Sequence, residues 1–249
     1  MARKQGTVKR KKKVGLNKKK LISVMKKFIA TTDKAPEFSK YFKIENGIHY
    51  SATDMNANAP IASYIFLKNI ELWEKGTGVD LFAKPVDTEE ITTVQSIPGY
   101  PEVRGLFKEG FLDGYNEVII DFKDIDKFIK LHEGMEKISK LSGKDFAAGL
   151  HFMDSELCFW VCHSVVDLGY KYPCDINFEA DPKVHHFFYD PVVMLNILKS
   201  IKEFKDLETF SMHIKDHKSP IFFTGKDSDY EVYMAIQRKI VREWLHGFE

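Results

Sequence analysis

Three aspartates, Asp121, Asp124 and Asp126, lie within six residues where a predicted strand ends and a predicted helix begins. Clustered carboxylates can hold Mg²⁺, as in metal-dependent nucleases. The same positions also have a structural interpretation, because Asp124 suits a helix N-cap and Asp126 favours the positive end of the helix. A metal-dependent nuclease or DNA-processing enzyme is therefore the alternative function for this chain.

Lysines recur at helical spacing on three predicted helices, opposite the apolar positions. Outward-facing lysines bind phosphates without reading bases, so their contact with DNA is independent of sequence and sensitive to salt. A single exposed lysine is ordinary on a soluble helix, but recurrence on three helices favours a phosphate-binding face. The predicted DNA-binding residues are Lys18, Lys19, Lys26, Lys27, Lys127, Lys130, Lys137, Lys140, Lys199, Lys202 and Lys205.

Other combinations of reactive residues do not favour catalysis or metal binding. Cys158, Cys162, His163 and Cys174 contain no Cys-x-x-Cys pair, so a zinc site is not favoured. No Gly-rich phosphate loop, nucleophile elbow or His-Glu-x-x-His motif occurs in the sequence. We therefore predict a protein that is not an enzyme and that needs no cofactor.

Charge is divided unevenly along the 249 residues, although the net charge is only +1. Residues 1–27 hold 12 of the 37 Lys and Arg residues and no acidic residue. The rest of the chain therefore has 25 basic and 36 acidic residues, a net charge of −11. An acidic body with basic helix faces can bind a polyanion in one place and repel it elsewhere. Residues 1–15 are predicted to be a disordered basic tail, either an arm that contacts nucleic acid or a solubilising or expression remnant.

Composition and cysteine usage indicate a folded protein in a reducing compartment. Hydrophobic residues make up 44% of the chain and aromatic residues 13%, enough for a sizeable core. No apolar run approaches the ~20 residues that cross a bilayer, and the basic N-terminus lacks the apolar segment of a signal peptide. Three cysteines without a disulfide framework predict an intracellular location, in the cytoplasm or nucleoid.

The predicted elements repeat a helix followed by antiparallel strands. Asn17 begins a helix that runs to about Ala30, and strands follow on both sides of the hairpin turn Asn46-Gly47. In residues 117–243 the order is helix, strands, helix, strands, and the second of these helices starts at Asp190-Pro191. The fold class is therefore α+β, with two copies of one half-domain in the second part of the chain.

This duplication resembles the DNA sliding clamps, the processivity factors of DNA polymerases. The segment Tyr41–Asp54 is similar to the clamp pattern of strand, turn and a strand that ends in Ala-Thr-Asp. The segments Ser219–Gly225 and Tyr230–Ile236 resemble the closing hairpin of a clamp's last domain. The resemblance covers residues 16–67 and 117–243, while residues 68–116 depart from it because they show no second basic helix.

The resemblance implies two processivity-fold (DNA clamp) domains, residues 16–116 and 117–249, with helices packed on antiparallel sheets. Six such domains form a ring, so two per chain imply a homotrimer around duplex DNA, as in phage-type and eukaryotic-archaeal clamps. The implied partners are a DNA polymerase, which the ring would tether to its template, and an ATP-driven clamp loader.

The resemblance also implies a groove that binds a short hydrophobic peptide of the partner. The matching segments are Val118–Phe122, Ile221–Phe223 and Ile240–Phe248, and the partner-binding residues implied are Ile221, Phe223 and Trp244. A plain α+β adaptor remains a third possibility beside the clamp and the nuclease.

Overall fold

Three α-helices and thirteen strands make up the part of the chain that the computed structural model describes. That part comprises residues 16–55, 60–70, 72, 80–87, 90–142, 148–153, 156–162, 167–174, 186–216 and 218–239. The helices are α1 (Lys18–Met25), α2 (Ile125–Ser142) and α3 (Pro191–Ile201). The strands are β1 (Phe42–Glu45), β2 (His49–Asp54), β3 (Ile61–Leu67), β4 (Leu81–Pro85), β5 (Ile91–Val94), β6 (Asn116–Asp121), β7 (Ala148–Met153), β8 (Glu156–Cys162), β9 (Asp167–Pro173), β10 (His186–Tyr189), β11 (Thr209–Ile214), β12 (Ile221–Lys226) and β13 (Tyr230–Ile236).

The strands form two antiparallel sheets, which confirms the predicted α+β class. The larger sheet has nine strands in the order β5-β4-β1-β2-β3-β13-β12-β11-β6, and the smaller has four in the order β10-β7-β8-β9. The first and last parts of the chain meet at the centre of the larger sheet, where β3 pairs with β13 from Ile61↔Ile236 to Leu67↔Tyr230. This junction joins the two parts of the chain through backbone hydrogen bonds as well as side chains.

One structural unit occurs three times among the described residues. Each copy is a helix followed by a three-strand meander: α1 with β1-β2-β3, α2 with β7-β8-β9, and α3 with β11-β12-β13. In each copy a fourth strand from elsewhere in the chain pairs with the first strand of the meander: β4 with β1, β10 with β7, and β6 with β11. The predicted repetition within residues 117–243 is therefore present, and the N-terminal part supplies a third copy.

A fourth copy is not seen in the described part of residues 80–116. There the chain forms β4, β5, a 3₁₀ helix at Val103–Phe107 and turns, but no α-helix. The absence of a second basic helix in this region of the sequence agrees with that observation. Among the described residues, the part of the chain before β6 forms one α-helix and the part after it forms two.

Local sequence signals set the start of each helix. The Asn17 side chain accepts a hydrogen bond from the Lys20 amide at 3.0 Å, and Asp190 accepts from the amides of Val192 and Val193. At α2 the cap is displaced from its predicted place, because Asp121 rather than Asp124 accepts from the Lys123 amide and begins a 3₁₀ turn that leads into the helix. These caps satisfy amides that have no partner within the helix.

The hairpin predicted at Asn46-Gly47 is confirmed. Both residues have positive φ, 53° and 70° respectively, as the two central residues of a type I′ turn do, and the Ile48 amide closes the turn by donating to the Glu45 carbonyl oxygen at 3.2 Å. The turn sets the register Glu45↔His49 to Phe42↔Ala52 between β1 and β2. A β-branched residue at either turn position would be strained in this backbone conformation.

The main core lies between the helices and one face of each sheet. It contains the apolar sides of all three helices, including Leu21, Phe128 and Ile197, each fully buried. A second, smaller cluster lies on the opposite face of the larger sheet, around Phe222 and Val103. Residues 95–115, which we call the connector, cover that face between β5 and β6. None of the described helices is long and apolar enough to cross a membrane.

A buried histidine links α2 to β10 inside the main core. His132 lies between the carbonyl oxygen of Phe128, 2.7 Å from Nδ1, and the Tyr189 hydroxyl, 2.8 Å from Nε2. Burial lowers the pKa of His132 to about 4 from an ordinary value of 6.5. The folded protein therefore holds this imidazole neutral at neutral pH.

We expect the free energy of unfolding to decrease as the pH falls from 6.5 to 4. In this window the unfolded chain binds a proton at His132 and the folded chain does not, so acid favours the unfolded state. The loss attributable to this group is on the order of 3 kcal/mol at the low end of the window. Urea unfolding at several pH values measures it, and a His132→Gln variant, though less stable at pH 7, should lose less over the same range. Equal pH dependence in the two proteins would contradict this assignment.

Candidate nucleic-acid interface

The lysine-bearing sides of the three helices face away from both sheets. The apolar side of each helix is buried, while most of the lysines on the other side are exposed. The exposed predicted DNA-binding residues are Lys18, Lys19, Lys127, Lys130, Lys137, Lys140, Lys202 and Lys205. The other three, Lys26, Lys27 and Lys199, are half-buried. All eleven lie on or directly after the three helices, so the fold gathers them on the helical layer.

The region around α1 is the most basic part of that layer. Residues 18–28 carry five lysines and no acidic residue. Two of the three half-buried members are bonded to backbone oxygens: Lys26 Nζ donates to the carbonyl oxygen of Asp87 at 2.8 Å, and Lys27 Nζ donates to that of Ser23 at 2.9 Å. Burial lowers the pKa of Lys27, partly opposed by Glu203 at the end of α3. Lys18 and Lys19 at the start of α1 are exposed.

The lysines of α2 and α3 lie among carboxylates. Lys127 contacts Asp124 at 2.6 Å and Lys140 contacts Glu136 at 2.9 Å, both within or next to α2. Between the helices, Lys199 contacts Glu133 at 3.0 Å and Lys202 contacts Asp126 at 2.5 Å. Sequence reasoning identified these lysines but did not anticipate their acidic partners, although the spacing Asp124-Lys127 and Glu136-Lys140 is the ordinary signal for helical ion pairs.

These contacts weigh against the alternative of a metal-dependent nuclease. Asp121, Asp124 and Asp126 each pair with a different lysine, at Lys123, Lys127 and Lys202 respectively. The hydrogen bond from Lys123 holds the pKa of Asp121 below its ordinary value. No group of three His, Cys, Asp or Glu side chains that could hold a metal ion occurs among the described residues. Nothing in this arrangement favours carboxylate-bound Mg²⁺.

The candidate zinc ligands form no metal-binding group within the described part of the chain. Cys158 is buried in β8, and burial raises the pKa of its thiol. Cys174 is half-buried just after β9. His163 lies outside the described residues, as does the side chain of Cys162. The thiol of Cys158 is therefore held in the protonated form, which is a poor metal ligand.

The predicted partner-binding residues fall in two places. Ile221 and Phe223 lie in the main core, each about 1% exposed, so their side chains are not on the surface. Trp244 lies outside the described residues. Partner binding by Ile221, Phe223 and Trp244 stays a prediction. The burial of Ile221 and Phe223 does not favour a direct contact with a partner.

A surface groove lies instead on the opposite face of the larger sheet. It runs between the connector and the centre of the sheet, and its apolar lining includes Tyr64, Phe66, Phe107 and Tyr233. Charged residues surround that lining: Glu102, Arg104, Lys108, Glu109 and Glu231. We call this the connector groove.

Aromatic contacts hold the connector in place beside the groove. Phe222 of β12 meets Phe107, Phe111 and Tyr115 at centroid distances of 6.0, 5.2 and 5.2 Å. The turns between these aromatics contain Gly110 and Gly114, with φ of 80° and 74°, which glycine adopts without strain. Sequence reasoning missed the connector groove, and the recurrence of an aromatic every four residues from Phe107 to Tyr115 is the signal that could have indicated it.

Comparison with solved structures places this architecture among known folds. The Bacillus subtilis DNA polymerase sliding clamp superposes with a TM-score of 0.59 at 13% identity, covering 90% of this chain and 62% of that one. The Pseudomonas aeruginosa DNA polymerase III subunit beta gives a TM-score of 0.54 at 12% identity, covering 92% and 68%. The Entamoeba histolytica proliferating cellular nuclear antigen gives 0.53 at 11% identity, covering 89% and 94%.

The chain therefore spans about two thirds of each of these two bacterial proteins and most of the Entamoeba protein. No protein-family profile and no curated protein sequence matches it. At 11–13% identity the likeness is one of structure, and it extends over about nine-tenths of this chain. On these grounds the chain has the fold of the DNA sliding clamps, as its sequence predicted.

Proposed function

We propose that this protein is a DNA sliding clamp that encircles duplex DNA and tethers a replicative DNA polymerase to its template. The observation that carries the proposal is the placement of eleven lysines on one helical layer of a sliding-clamp fold. Such a layer offers phosphates many weak contacts and no base-reading groups, so a duplex can move past it. Tethering would act by raising the local concentration of the polymerase at the primer end.

In this proposal the protein has no catalytic role and works inside the cell with two protein partners. The polymerase would dock a short hydrophobic peptide, and the connector groove is the surface that suits it best, because its lining combines aromatic and charged side chains. An ATP-driven loader would open the ring. The domain limits of the proposal are residues 16–116 and 117–249, with residues 1–15 as a basic tail.

The ring itself is proposed as a homotrimer closed by pairing of sheet edges. A head-to-tail ring needs two different surfaces on each chain that complement each other. Among the described strands, β5 and β9 each have a single neighbour, and they end different sheets. In β5, Thr92, Thr93 and Val94 are exposed and carry no charge, which leaves an edge suited to pairing with another strand.

Sedimentation at micromolar protein tests the ring, and we expect three times the chain mass of 28.8 kDa. Lysines at Thr92 and Val94, which lie on the same side of β5, should shift the mass to that of one chain, since charges on an edge strand oppose pairing. The matched control is Glu117→Lys with Ile119→Lys on β6, the other edge of the same sheet, which should stay trimeric.

The outcomes separate the parts of this proposal. A wild-type protein that is monomeric at every concentration would contradict the ring, although not the fold. A trimer broken by the β6 variant and not by the β5 variant would contradict the choice of edge. A closed assembly of more than three chains would support the ring and contradict the trimer.

A further inference from the structure

The carboxylates on the helical layer lie where a duplex would have to pass. Glu133 and Asp126 of α2 pair with Lys199 and Lys202 of α3 across the groove between the two helices. All four side chains are between 39% and 59% exposed, so these pairs lie on the solvent side of the helices and not in the core. We call Asp126–Lys202 and Glu133–Lys199 the inter-helix ion pairs.

The charge of the helical layer consequently differs from one helix to the next. Residues 18–28 carry five lysines without an acid, whereas residues 125–142 carry four lysines and three acids. Residues 191–206 carry three lysines and two acids. The face of α2 and α3 is thus close to neutral, while the region of α1 is strongly basic.

A phosphate that approaches Lys199 or Lys202 must compete with a carboxylate that already contacts the ammonium group. The carboxylate also repels the phosphate directly, since both are negative and lie within one Debye length, about 8 Å at physiological salt, of the same lysine. Exposed ion pairs contribute little to folding, so a structural need does not by itself account for acids at these positions.

We propose that Asp126 and Glu133 attenuate the affinity of the helical layer for duplex DNA. They neutralise two of the lysines that would otherwise bind phosphates, and they leave the stronger contact to the region of α1. The consequence is a layer that holds DNA weakly enough for repeated release, which movement along the duplex requires. This inference rests on the proposed function, because it assumes that the helices face DNA.

Removal of the two negative charges should make duplex binding tighter. In Asp126→Asn with Glu133→Gln the shapes of the side chains are retained and two lysines per chain become available to phosphates. We expect roughly three- to ten-fold tighter binding of a fluorescein-labelled duplex at moderate salt. The slope of log affinity against log salt should steepen by about one for each additional phosphate that a lysine neutralises.

Two controls make the measurement specific. Glu109→Gln with Glu117→Gln changes the charge by the same amount at exposed positions of the connector and of β6, away from the helices, and should change affinity little. Adding Lys199→Gln and Lys202→Gln to the Asp126/Glu133 variant should cancel the increase in affinity, because that increase is expected to act through those lysines. Thermal melting and sedimentation of each variant should match those of the wild type.

The inference fails if the Asp126/Glu133 variant binds no more tightly than the Glu109/Glu117 control. It also fails if the tighter binding persists without Lys199 and Lys202. Failure of the proposed function looks different, because then reversal of the exposed lysines of α1 and α2 would leave duplex binding unchanged as well.

Discussion

Replacement of Lys18, Lys19, Lys130 and Lys137 by glutamate should abolish duplex binding at moderate salt. These four lysines are exposed, and they lie on α1 and α2. A trimer would exchange twelve positive charges for twelve negative ones on the face that is proposed to meet DNA. Since neutralised phosphates supply the sequence-independent part of binding, the affinity and its salt dependence should both collapse.

The fold should tolerate this change. Substitutions at exposed positions usually change stability by less than about 0.5 kcal/mol each, so the variant should melt close to the wild type. A matched control replaces four other exposed lysines by glutamate: Lys84, Lys108, Lys218 and Lys226. Lys84 and Lys226 lie on the face of the larger sheet opposite the helices, because their neighbours Ala83 and Gly225 face the core. We expect the control to keep most of the duplex affinity.

Fluorescence anisotropy over a salt series measures both variants, and a polymerase processivity assay measures the variant of α1 and α2 alone, because Lys108 of the control lines the connector groove. Unchanged binding and processivity in a well-folded variant with lysines reversed on α1 and α2 would mean that the helices do not face DNA. An equal loss in both variants would indicate that only the overall charge matters, and not the helical layer.

The elements of the fold could be predicted because their signals are local. Asn17 and Asp190 cap their helices through hydrogen bonds to amides two or three residues away, and Asn46-Gly47 forms its turn from backbone preferences alone. The spacing of apolar residues also identified the buried sides of α1, α2 and α3. Such features need no knowledge of the rest of the chain.

Contacts between distant segments could not be predicted in the same way. Strand β3 pairs with β13, β6 with β11, and β10 with β7, and in each pair the residues lie more than thirty positions apart in the sequence. No local pattern selects the partner strand. For the same reason the partners of Lys199 and Lys202 were missed, since Glu133 and Asp126 lie on another helix.

The alternation of side chains along a strand explains why the burial of Ile221 and Phe223 could not be predicted. Ile221, Phe222 and Phe223 are all apolar, so the sequence did not indicate which face of β12 would be covered by helices. The structure places Ile221 and Phe223 in the main core and Phe222 beneath the connector. A strand that is buried on both faces reads as a continuous apolar run, and this is the case for β12.

A protein that encircles DNA should be retained on a linear duplex whose ends are blocked and lost completely from one whose ends are open. A linear duplex with biotin at both ends is incubated with the protein, and streptavidin then blocks the ends. The salt is raised to a level at which lysine–phosphate contacts no longer hold a protein, since six to ten such contacts lose about 10³- to 10⁵-fold in affinity between 50 and 200 mM salt. A closed ring should stay on the blocked duplex because leaving it requires an open end or an open ring.

Cleavage of the same duplex by a restriction enzyme should then release the protein. The variant with lysines at Thr92 and Val94, which is expected not to close a ring, should be lost at the salt step whether or not the ends are blocked. The wild type with unblocked ends should behave like that variant. Retention that is equal on blocked and cleaved DNA would show that a basic surface patch holds the duplex, and it would contradict encirclement even if the lysines of α1 and α2 were found to bind phosphates.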